Sequence, residues 1–343
     1  MSLSQSLKRM PKSTLKYKKI LLYTLGDPAG VGSEIIIKSL SQREVLDSAI
    51  HLIIADHRSI LQAVSILKSK ISLNPMTDFN SNLLEAGALN ILDLSNAPDV
   101  ELTRPDAASA KASLEYLDKA VDIIKKYGSD IASLITLPVS KEEISSLGVG
   151  FKGHTEYLKE RFSVDSVLMV FLTPVFYLYL ATRHIPLREV SAHIDYFELK
   201  DAIKKMDSFF SRIDKHKPKI AVLGLNPHGG ENGIIGDEEV LIIKPLIEEL
   251  KAEGLNIDGP YPGDGFFRNR ERFNYNIVVS LYHDQTLPVI KAMFDNTVNF
   301  TLGLPFLRFS PDHGPAYDIA GEGIANPASL LKAIEYSLTL NVS

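Results

Sequence analysis

The stretch SPDHGPAYDIAGEGIANP, residues 310–327, is the most informative part of this sequence. Glycines at positions 314, 321 and 323 make it too irregular for a buried helix or strand. Glycine permits backbone conformations and close approaches that a Cβ forbids, while His313, Asp318 and Asn326 offer polar atoms. The stretch therefore predicts either a loop around a polar ligand or a long surface turn before the last helix.

The order HGxAxDIAGxGIANP within this stretch resembles the adenosine-binding loop of the isocitrate and isopropylmalate dehydrogenase superfamily. In that loop an aspartate at the position of Asp318 bonds the ribose hydroxyls. This implies NAD rather than NADP, because the carboxylate would repel a 2′-phosphate. Tyr317 departs from the superfamily, in which proline is usual. The resemblance implies that NAD is bound by His313, Gly314, Ala316, Asp318 and Asn326.

The composition excludes several classes of protein. The chain has 343 residues, of which 45% are hydrophobic and 23% charged, and its net charge is −5. At this length the chain could form two domains or one large α/β unit, and either can bury a substantial core. The composition argues against disorder, a nucleic-acid partner or a membrane surface. The sequence has no cysteine, so any bound metal must use His, Asp or Glu.

The N-terminus predicts no export signal. Residues 1–18 are basic and are predicted to form a flexible tail. The apolar run that follows ends at Gly26 and Asp27, which is too short for a signal peptide or a membrane span. We therefore predict a cytoplasmic protein.

Apolar strand-like runs alternate with amphipathic helical stretches, a pattern typical of βαβ units and a largely parallel sheet. An antiparallel pair is predicted on either side of the turn Thr173-Pro174, over residues 167–172 and 175–182. The other predicted strands are 19–25, 51–55, 91–94, 132–139, 219–225 and 275–281. Helices are predicted near 33–40, 57–68, 106–127, 196–213, 237–252 and 327–338.

Three histidines, His184, His228 and His283, lie at the ends of predicted strands. Ligands of α/β proteins gather at strand ends. Three neutral imidazoles meeting there would bind a divalent ion such as Zn²⁺ and leave positions for substrate oxygens. The spacing carries no local signature, so ordinary hydrogen-bonding histidines are the alternative. Asp284 or Glu231 would be placed to orient the imidazoles.

Three further groups are candidates for ligand contacts. GHTEYL, residues 153–158, places His154 and Thr155 where a helix begins, so Thr155 is either a helix cap or a ligand contact. GDPAGVGSE, residues 26–34, is neither GxGxxG nor a P-loop and favours a tight strand-to-helix turn. Charge-assisted hydrogen bonds to a phosphate could come from Lys291, Asn299 and Arg308. The alternative is that the two cations are solvated surface residues.

Read in order, six motifs resemble the 4-hydroxythreonine-4-phosphate dehydrogenase (PdxA) family, from Lys19 to the C-terminus. They are GDPAGVGSE, GHTEYL, NPHGGENG, GPYPGD, YHDQTLPVIK and VNFTLGLPFLRFS. The resemblance implies two α/β/α domains flanking a cleft, as in isocitrate dehydrogenase, and a homodimer whose active sites draw on both subunits. The first domain would comprise 19–145 and 305–343, and the second, with metal and dimer contacts, 146–304.

The resemblance also implies the activity and the roles of the site residues. The reaction would be NAD-dependent oxidation of 4-phosphooxy-L-threonine, assisted by Zn²⁺, Mg²⁺ or Co²⁺. Its product, 2-amino-3-oxo-4-phosphooxybutanoate, decarboxylates to 3-amino-1-hydroxyacetone 1-phosphate in vitamin B6 biosynthesis. The metal ligands would be His184, His228 and His283, and the substrate contacts His154, Thr155, Lys291, Asn299 and Arg308. Asp264 and Lys291 are both candidates for the general base.

Three positions depart from the family pattern and leave the substrate fit open: Thr286, Gly265 and Phe309. The close alternative is a dehydrogenase of the same family that acts on D-threonate or erythronate 4-phosphate, or on a dihydrodiol carboxylate. Alternatives of other classes are a phosphate acyltransferase and a non-catalytic binding protein on the same scaffold.

Overall fold

The computed structural model describes residues 19–97, 100–269 and 274–340. Its described residues form two compact units, unit 1 within Met1–Val167 and Leu304–Leu340 and unit 2 within Leu168–Gly303. The predicted basic tail, 1–18, lies outside the described residues. Within those residues, no helix has both the length and the apolar character that crossing a membrane requires.

Six strands form the sheet of unit 1. They are β1 (Ile20–Thr24), β2 (Ile50–Ala55), β3 (Leu73–Met76), β4 (Leu89–Asp93), β5 (Ile131–Thr136) and β12 (Leu307–Pro311). All pairs are parallel, in the order β3, β4, β2, β1, β5, β12. Leu21, Leu22 and Tyr23 of β1 are fully buried, as expected for a parallel strand covered on both faces.

Seven helices of unit 1 are described. Asp56 caps α3 (His57–Ile66) by accepting a hydrogen bond from the backbone N–H of Arg58, and Asp106 caps α4 (Ala107–Tyr127) by accepting one from the backbone N–H of Ser109. The apolar side chains of Leu117, Ala120, Val121 and Ile124 on α4 are buried. The helices are α1 (Gly32–Leu40), α2 (Arg43–Leu46), α3 (His57–Ile66), α4 (Ala107–Tyr127), α5 (Lys141–Ser146), α6 (His154–Arg161) and, near the C-terminus, α11 (Ala328–Thr339).

The division into units differs from the sequence-based domain boundary. The sequence predicts the boundary between residues 145 and 146, whereas the first compact unit extends to Val167. The reason is that α6 is held against α4. The Tyr157 hydroxyl donates to Asp118, and the guanidinium of Arg161 lies 3.1 Å from the same carboxylate.

Unit 2 also contains six strands. They are β6 (Leu168–Leu172), β7 (Tyr177–Leu180), β8 (Ile220–Leu223), β9 (Ile257–Tyr261), β10 (Ile277–Ser280) and β11 (Val298–Leu302). Their order is β11, β6, β7, β10, β8, β9, with β6 antiparallel to both of its neighbours and the other pairs parallel. The predicted antiparallel pair around Thr173-Pro174 is confirmed.

The helices of unit 2 are α7 (Tyr196–Asp214), α8 (Lys244–Ala252), α9 (Gly263–Arg268) and α10 (His283–Met293). A wide helical turn, Glu239–Ile243, leads directly into α8. Aromatic and aliphatic side chains of the strands, α9 and α10 form a shared core that includes Phe171, Leu223, Phe266, Val278 and Leu287. The predicted α/β class with a largely parallel arrangement is confirmed in both units.

Candidate active site

The three candidate metal ligands follow three neighbouring parallel strands of unit 2. His184 follows β7, His283 follows β10 and His228 follows β8, and β10 pairs with both of the other strands. Because the carboxyl ends of parallel strands lie at one edge of a sheet, the topology brings these three loops to the same edge.

The structure groups two of these imidazoles. The ring centroids of His184 and His283 are 5.8 Å apart, and Nδ1 of His283 lies 2.5 Å from the Asp284 carboxylate. The sequence suggested this orienting contact. Among the described residues, no set of three or more His, Asp or Glu side chains is arranged to hold a metal ion. The two imidazoles and the carboxylate that orients one of them supply donors of the kind that a divalent ion binds.

The loop that carries His228 has an unusual backbone. Five successive residues, from His228 to Asn232, have positive φ between 43° and 74°. Residues other than glycine rarely adopt this region, and each one costs about 1–3 kcal/mol, so it persists only where its surroundings hold it. The side chain of Glu239 holds the loop, because its carboxylate is fully buried and accepts hydrogen bonds from the backbone and the side chain of Asn226.

Gln285 ties the His283 loop to its neighbours. Its Oε1 accepts from the backbone N–H of Leu281, and its Nε2 donates to the carbonyl of Gly224, directly after β8. A Cβ built on Gly263 would contact the Gln285 side chain at 3.7 Å, so the turn that carries Asp264 lies against it as well. The sequence patterns did not single out Gln285 or Glu239. Gln285 lies within the motif YHDQTLPVIK, and Glu239 lies in the segment GDEE that follows NPHGGENG.

The two candidate bases occupy different positions. Asp264 is the second residue of α9 and is exposed, just past the end of β9, which pairs in parallel with β8. Lys291 is also exposed but lies in the last turn of α10, about 12 Å along the helix axis from His283. Asn299 is on β11, opposite Phe171 of β6, and is partly buried.

Unit 1 groups three predicted substrate contacts. Arg308 on β12 is only 3% exposed and its guanidinium donates to the Thr136 hydroxyl. Burial lowers the pKa of Arg308 to about 10, although the negative charge of Glu156 acts to raise it. The guanidinium therefore stays protonated at neutral pH. His154 and Thr155 begin α6, with Thr155 buried.

The imidazole of His154 is neutral at physiological pH. Burial, followed by the positive charges of Arg308 and Lys141, holds its pKa well below the ordinary value. A neutral imidazole can both donate and accept a hydrogen bond, which suits contact with an anionic ligand beside a permanent cation.

The glycine-rich motif near the N-terminus lies against the C-terminal loop. The carboxylate of Asp27 is buried and accepts hydrogen bonds from the backbone of Ala29 and, at 2.8 Å, from the hydroxyl of Tyr317. Burial, followed by the hydrogen bond to Asp27, raises the pKa of Tyr317 far above its ordinary range, so the phenol is the donor. Further along, Glu34 accepts from the backbone N–H of Gly321.

This contact lies at the point where the strand order of unit 1 changes direction. β1 has β2 on one side and β5 on the other, and Asp27 follows β1 directly. Ligands of open α/β sheets bind at such a point, outside the carboxyl ends of the strands. The backbone N–H of Asp27 donates to the carbonyl of Pro138, just past β5, so both strand ends border this place.

The side chains predicted to bind NAD differ in their local contacts. Asp318 is exposed in the turn Tyr317–Ile319 that follows Ala316, whose backbone is left-handed at φ 49°. Nδ1 of His313 lies 2.9 Å from the carbonyl of Gly314. The carboxamide oxygen of Asn326 accepts from the backbone N–H of Ala328 at the start of α11, so part of that side chain serves the helix.

Comparison with known proteins assigns this architecture. A parallel α/β protein with a glycine-rich loop at the change of strand order is typical of a nucleotide-dependent dehydrogenase. The chain belongs to the family described as "Pyridoxal phosphate biosynthetic protein PdxA", whose model matches residues 47–337. The predicted family and oxidoreductase class are thereby confirmed. Membership of this family implies a nicotinamide cofactor.

Three similar proteins illustrate the match. A Chromobacterium violaceum protein named 4-hydroxythreonine-4-phosphate dehydrogenase is 38% identical over 95% of this chain and 96% of its own length. A Clostridium botulinum protein named putative D-threonate 4-phosphate dehydrogenase is 33% identical over 92% and 95%. The crystal structure of 4-hydroxythreonine-4-phosphate dehydrogenase from Klebsiella pneumoniae matches with a TM-score of 0.82 and 30% identity, over 94% of this chain and 98% of that one.

Proposed function

We propose that this chain oxidises 4-phosphooxy-L-threonine at C3, with NAD as hydride acceptor and a divalent ion as Lewis acid. The observation that carries the proposal is the position of His184, His283 and His228 after three neighbouring parallel strands. The relative named for this reaction is 38% identical, whereas the relative named for D-threonate 4-phosphate is 33% identical. This difference favours the first substrate.

The reaction removes a hydride and a proton from the C3 alcohol. The product, 2-amino-3-oxo-4-phosphooxybutanoate, is a β-keto acid that loses carbon dioxide and takes up a proton to give 3-amino-1-hydroxyacetone 1-phosphate. When bound, the divalent ion would polarise the C3 hydroxyl and NAD would accept the hydride. The residues of the chain must therefore hold the alcohol, accept its proton and fix the phosphate.

The ion would be held by His184, His228 and His283. The contact between the Asp284 carboxylate and Nδ1 of His283 supports the role of His283 as a ligand, because it leaves Nε2 of the ring available to the ion. Imidazole ligands favour Zn²⁺ or Co²⁺ over Mg²⁺, which prefers oxygen donors.

Asp264 is the proposed general base. Its carboxylate is exposed past the end of β9, at the same sheet edge as the histidine loops, and its turn packs on Gln285 beside His283. A carboxylate can accept the C3 proton directly or through water. Lys291 is less suited to this role and is proposed as a substrate contact together with Asn299.

The phosphate would be held by Arg308, His154 and Thr155. The guanidinium presents a fixed fork of donors that matches phosphate oxygens, and its burial strengthens each charge-assisted hydrogen bond. NAD would lie on the loop with His313, Gly314, Ala316, Asp318 and Asn326. The exposed carboxylate of Asp318 supports NAD over NADP, because it would repel a 2′-phosphate.

We also propose a cytoplasmic homodimer with shared active sites. Beside the His228 loop, Ile234 is 82% exposed and Leu241 is 65% exposed, and Ile235 and Val240 add to the apolar surface. An exposed apolar cluster of this kind is typical of a subunit interface. Light scattering at micromolar concentration should give the mass of two chains, and the mass of one chain would contradict the proposal.

The catalytic proposal predicts which assay mixtures produce NADH. Metal-stripped enzyme with 4-phosphooxy-L-threonine and NAD should form NADH only after Zn²⁺ or Co²⁺ is added, with Mg²⁺ giving less. D-threonate 4-phosphate and NADP, each substituted separately, should lower kcat/KM by at least about tenfold. The measurement is absorbance of NADH together with detection of released carbon dioxide.

Two results would redirect the assignment. Faster turnover of D-threonate 4-phosphate would identify the alternative substrate within the same family. No NADH with either compound under any of the three ions would contradict a dehydrogenase acting on phosphorylated four-carbon acids.

A further inference from the structure

Lys141 is a charged side chain that the proposed site does not yet use. It is the first residue of α5, just past the end of β5. Its Nζ lies 3.3 Å, and its Cε 3.1 Å, from the position that a Cβ on Gly153 would occupy. Gly153 immediately precedes His154, so the ammonium lies beside the first residues of α6.

Lys141 and Arg308 act on the same imidazole. Arg308 lies on β12, which pairs with β5, and the loop after β5 leads to Lys141. Both positive charges lower the pKa of His154, after the larger effect of burial. Charges that are solvent-exposed and distant are screened by salt and have little effect on each other. Arg308 reaches Thr136 at the end of β5, and Lys141 reaches Gly153 beside His154, so two cations border the start of α6 in unit 1.

Glu156 is the acidic side chain beside these two cations. Its Oε2 lies 3.2 Å from the same Cβ position on Gly153, and its charge raises the pKa of Arg308. One carboxylate faces two cations, so these side chains retain a positive balance within a chain whose net charge is −5. A dianionic phosphate would neutralise this excess positive charge and reduce the repulsion between the two cations.

We propose that Lys141 binds the phosphate group of the substrate together with Arg308. The inference rests on the phosphorylated substrate proposed above. The two cations would have different tasks, since guanidinium is a rigid fork for two oxygens and ammonium is a compact charge on a flexible stem. Lys141 is exposed whereas Arg308 is buried, so Lys141 is suited to reach an oxygen that faces solvent.

The test measures binding of inorganic phosphate to the full chain by calorimetry. Lys141→Ala should weaken phosphate binding by about tenfold, the loss of one charge-assisted hydrogen bond, and Lys141→Arg should retain most of the affinity. Lys152→Ala removes another exposed cation close to Gly153 and should change the affinity by less than about twofold. With the phosphorylated substrate, Lys141→Ala should raise KM more than it lowers kcat.

An NMR titration of His154 gives a second readout, since the pKa of its imidazole should rise in Lys141→Ala. If Lys141→Ala binds phosphate normally while Arg308→Ala does not, the inference is wrong and the phosphate role of Arg308 stands. If neither variant loses affinity, the proposed phosphate site itself is wrong. If Lys152→Ala weakens phosphate binding as much as Lys141→Ala does, the effect comes from the overall positive charge of the region, and the inference is also wrong.

Discussion

Replacing His283 with alanine should abolish metal-dependent turnover, with kcat lowered by at least about 10³-fold. A Lewis-acid ion contributes several kcal/mol to stabilising the developing alkoxide, and about 1.4 kcal/mol corresponds to each factor of ten in rate. His283 follows the central strand of the three, contacts Asp284 and lies 5.8 Å from His184. Its loss should therefore remove both a ligand and the imidazole that lies beside the His184 ring.

Two further variants make this experiment specific. His228→Ala should cause a similar loss, because its imidazole is the third proposed ligand. The structure pairs the rings of His184 and His283, so this variant tests His228 separately. His216→Ala is the matched control, because His216 is an exposed histidine of the same unit whose ring contacts the carbonyl of Asp214. Its turnover and metal content should match those of the unaltered enzyme.

The measurements are NADH formation with added Zn²⁺ and the bound metal per chain after dialysis. His283→Ala should retain the thermal midpoint of the metal-free enzyme, because the side chain is 39% exposed and carries no part of the core. Undiminished turnover of His283→Ala in excess chelator would show that the imidazole has no role in metal chemistry. Loss of metal in His283→Ala alone, with His228→Ala unaffected, would limit the ligand set to the observed pair.

The sequence predicted where these histidines lie along the chain, but not how they are arranged in space. Strand runs and their polar ends are local features, so they placed His184, His228 and His283 after β7, β8 and β10. Which strands are neighbours is a property of the whole fold. The order β7, β10, β8 was not available from spacing, and neither was the left-handed backbone that directs His228.

Contacts between distant segments were beyond prediction for the same reason. The hydrogen bond from Tyr317 to Asp27 joins two motifs that were each recognised separately. The departure from proline at position 317 was visible, but its consequence, a phenol that anchors the loop to the first strand, was not. Similarly, the buried carboxylate of Glu239 could not be distinguished from a surface acid by residue type alone.

The other departures from the family pattern have unequal consequences. Phe309 is fully buried, so its effect is on the core of unit 1. Among the described residues, no heavy atom lies within 4 Å of a Cβ built on Gly265, so these neighbours would accommodate a larger residue there. Thr286 is fully buried three residues after His283, and no hydrogen-bond partner lies within reach of its hydroxyl among the described residues. It is the departure best placed to alter the histidine site.

Replacing Arg308 with alanine should lower kcat/KM for the phosphorylated substrate by about 10²-fold or more, mainly through KM. Each hydrogen bond to a charged group contributes about 1.5–3 kcal/mol, and a guanidinium can make two to one phosphate. Arg308→Lys should recover only part of the loss, because lysine keeps the charge but lacks the planar fork. The measurement compares 4-phosphooxy-L-threonine with unphosphorylated 4-hydroxy-L-threonine for each variant.

The unphosphorylated substrate separates binding from damage to the fold. Arg308 is 3% exposed and donates to Thr136, so its truncation leaves a buried hydroxyl and an empty space that can lower the thermal midpoint. Thr136→Val removes the same internal hydrogen bond but keeps the guanidinium, and should leave the preference for phosphate intact. An Arg308→Ala enzyme that loses activity equally on both substrates would place the arginine in the scaffold of unit 1 and remove it from phosphate binding. A selective loss on the phosphorylated substrate, with Thr136→Val unaffected, would assign the buried cation to the ligand, because Thr136→Val loses the internal hydrogen bond but keeps the positive charge.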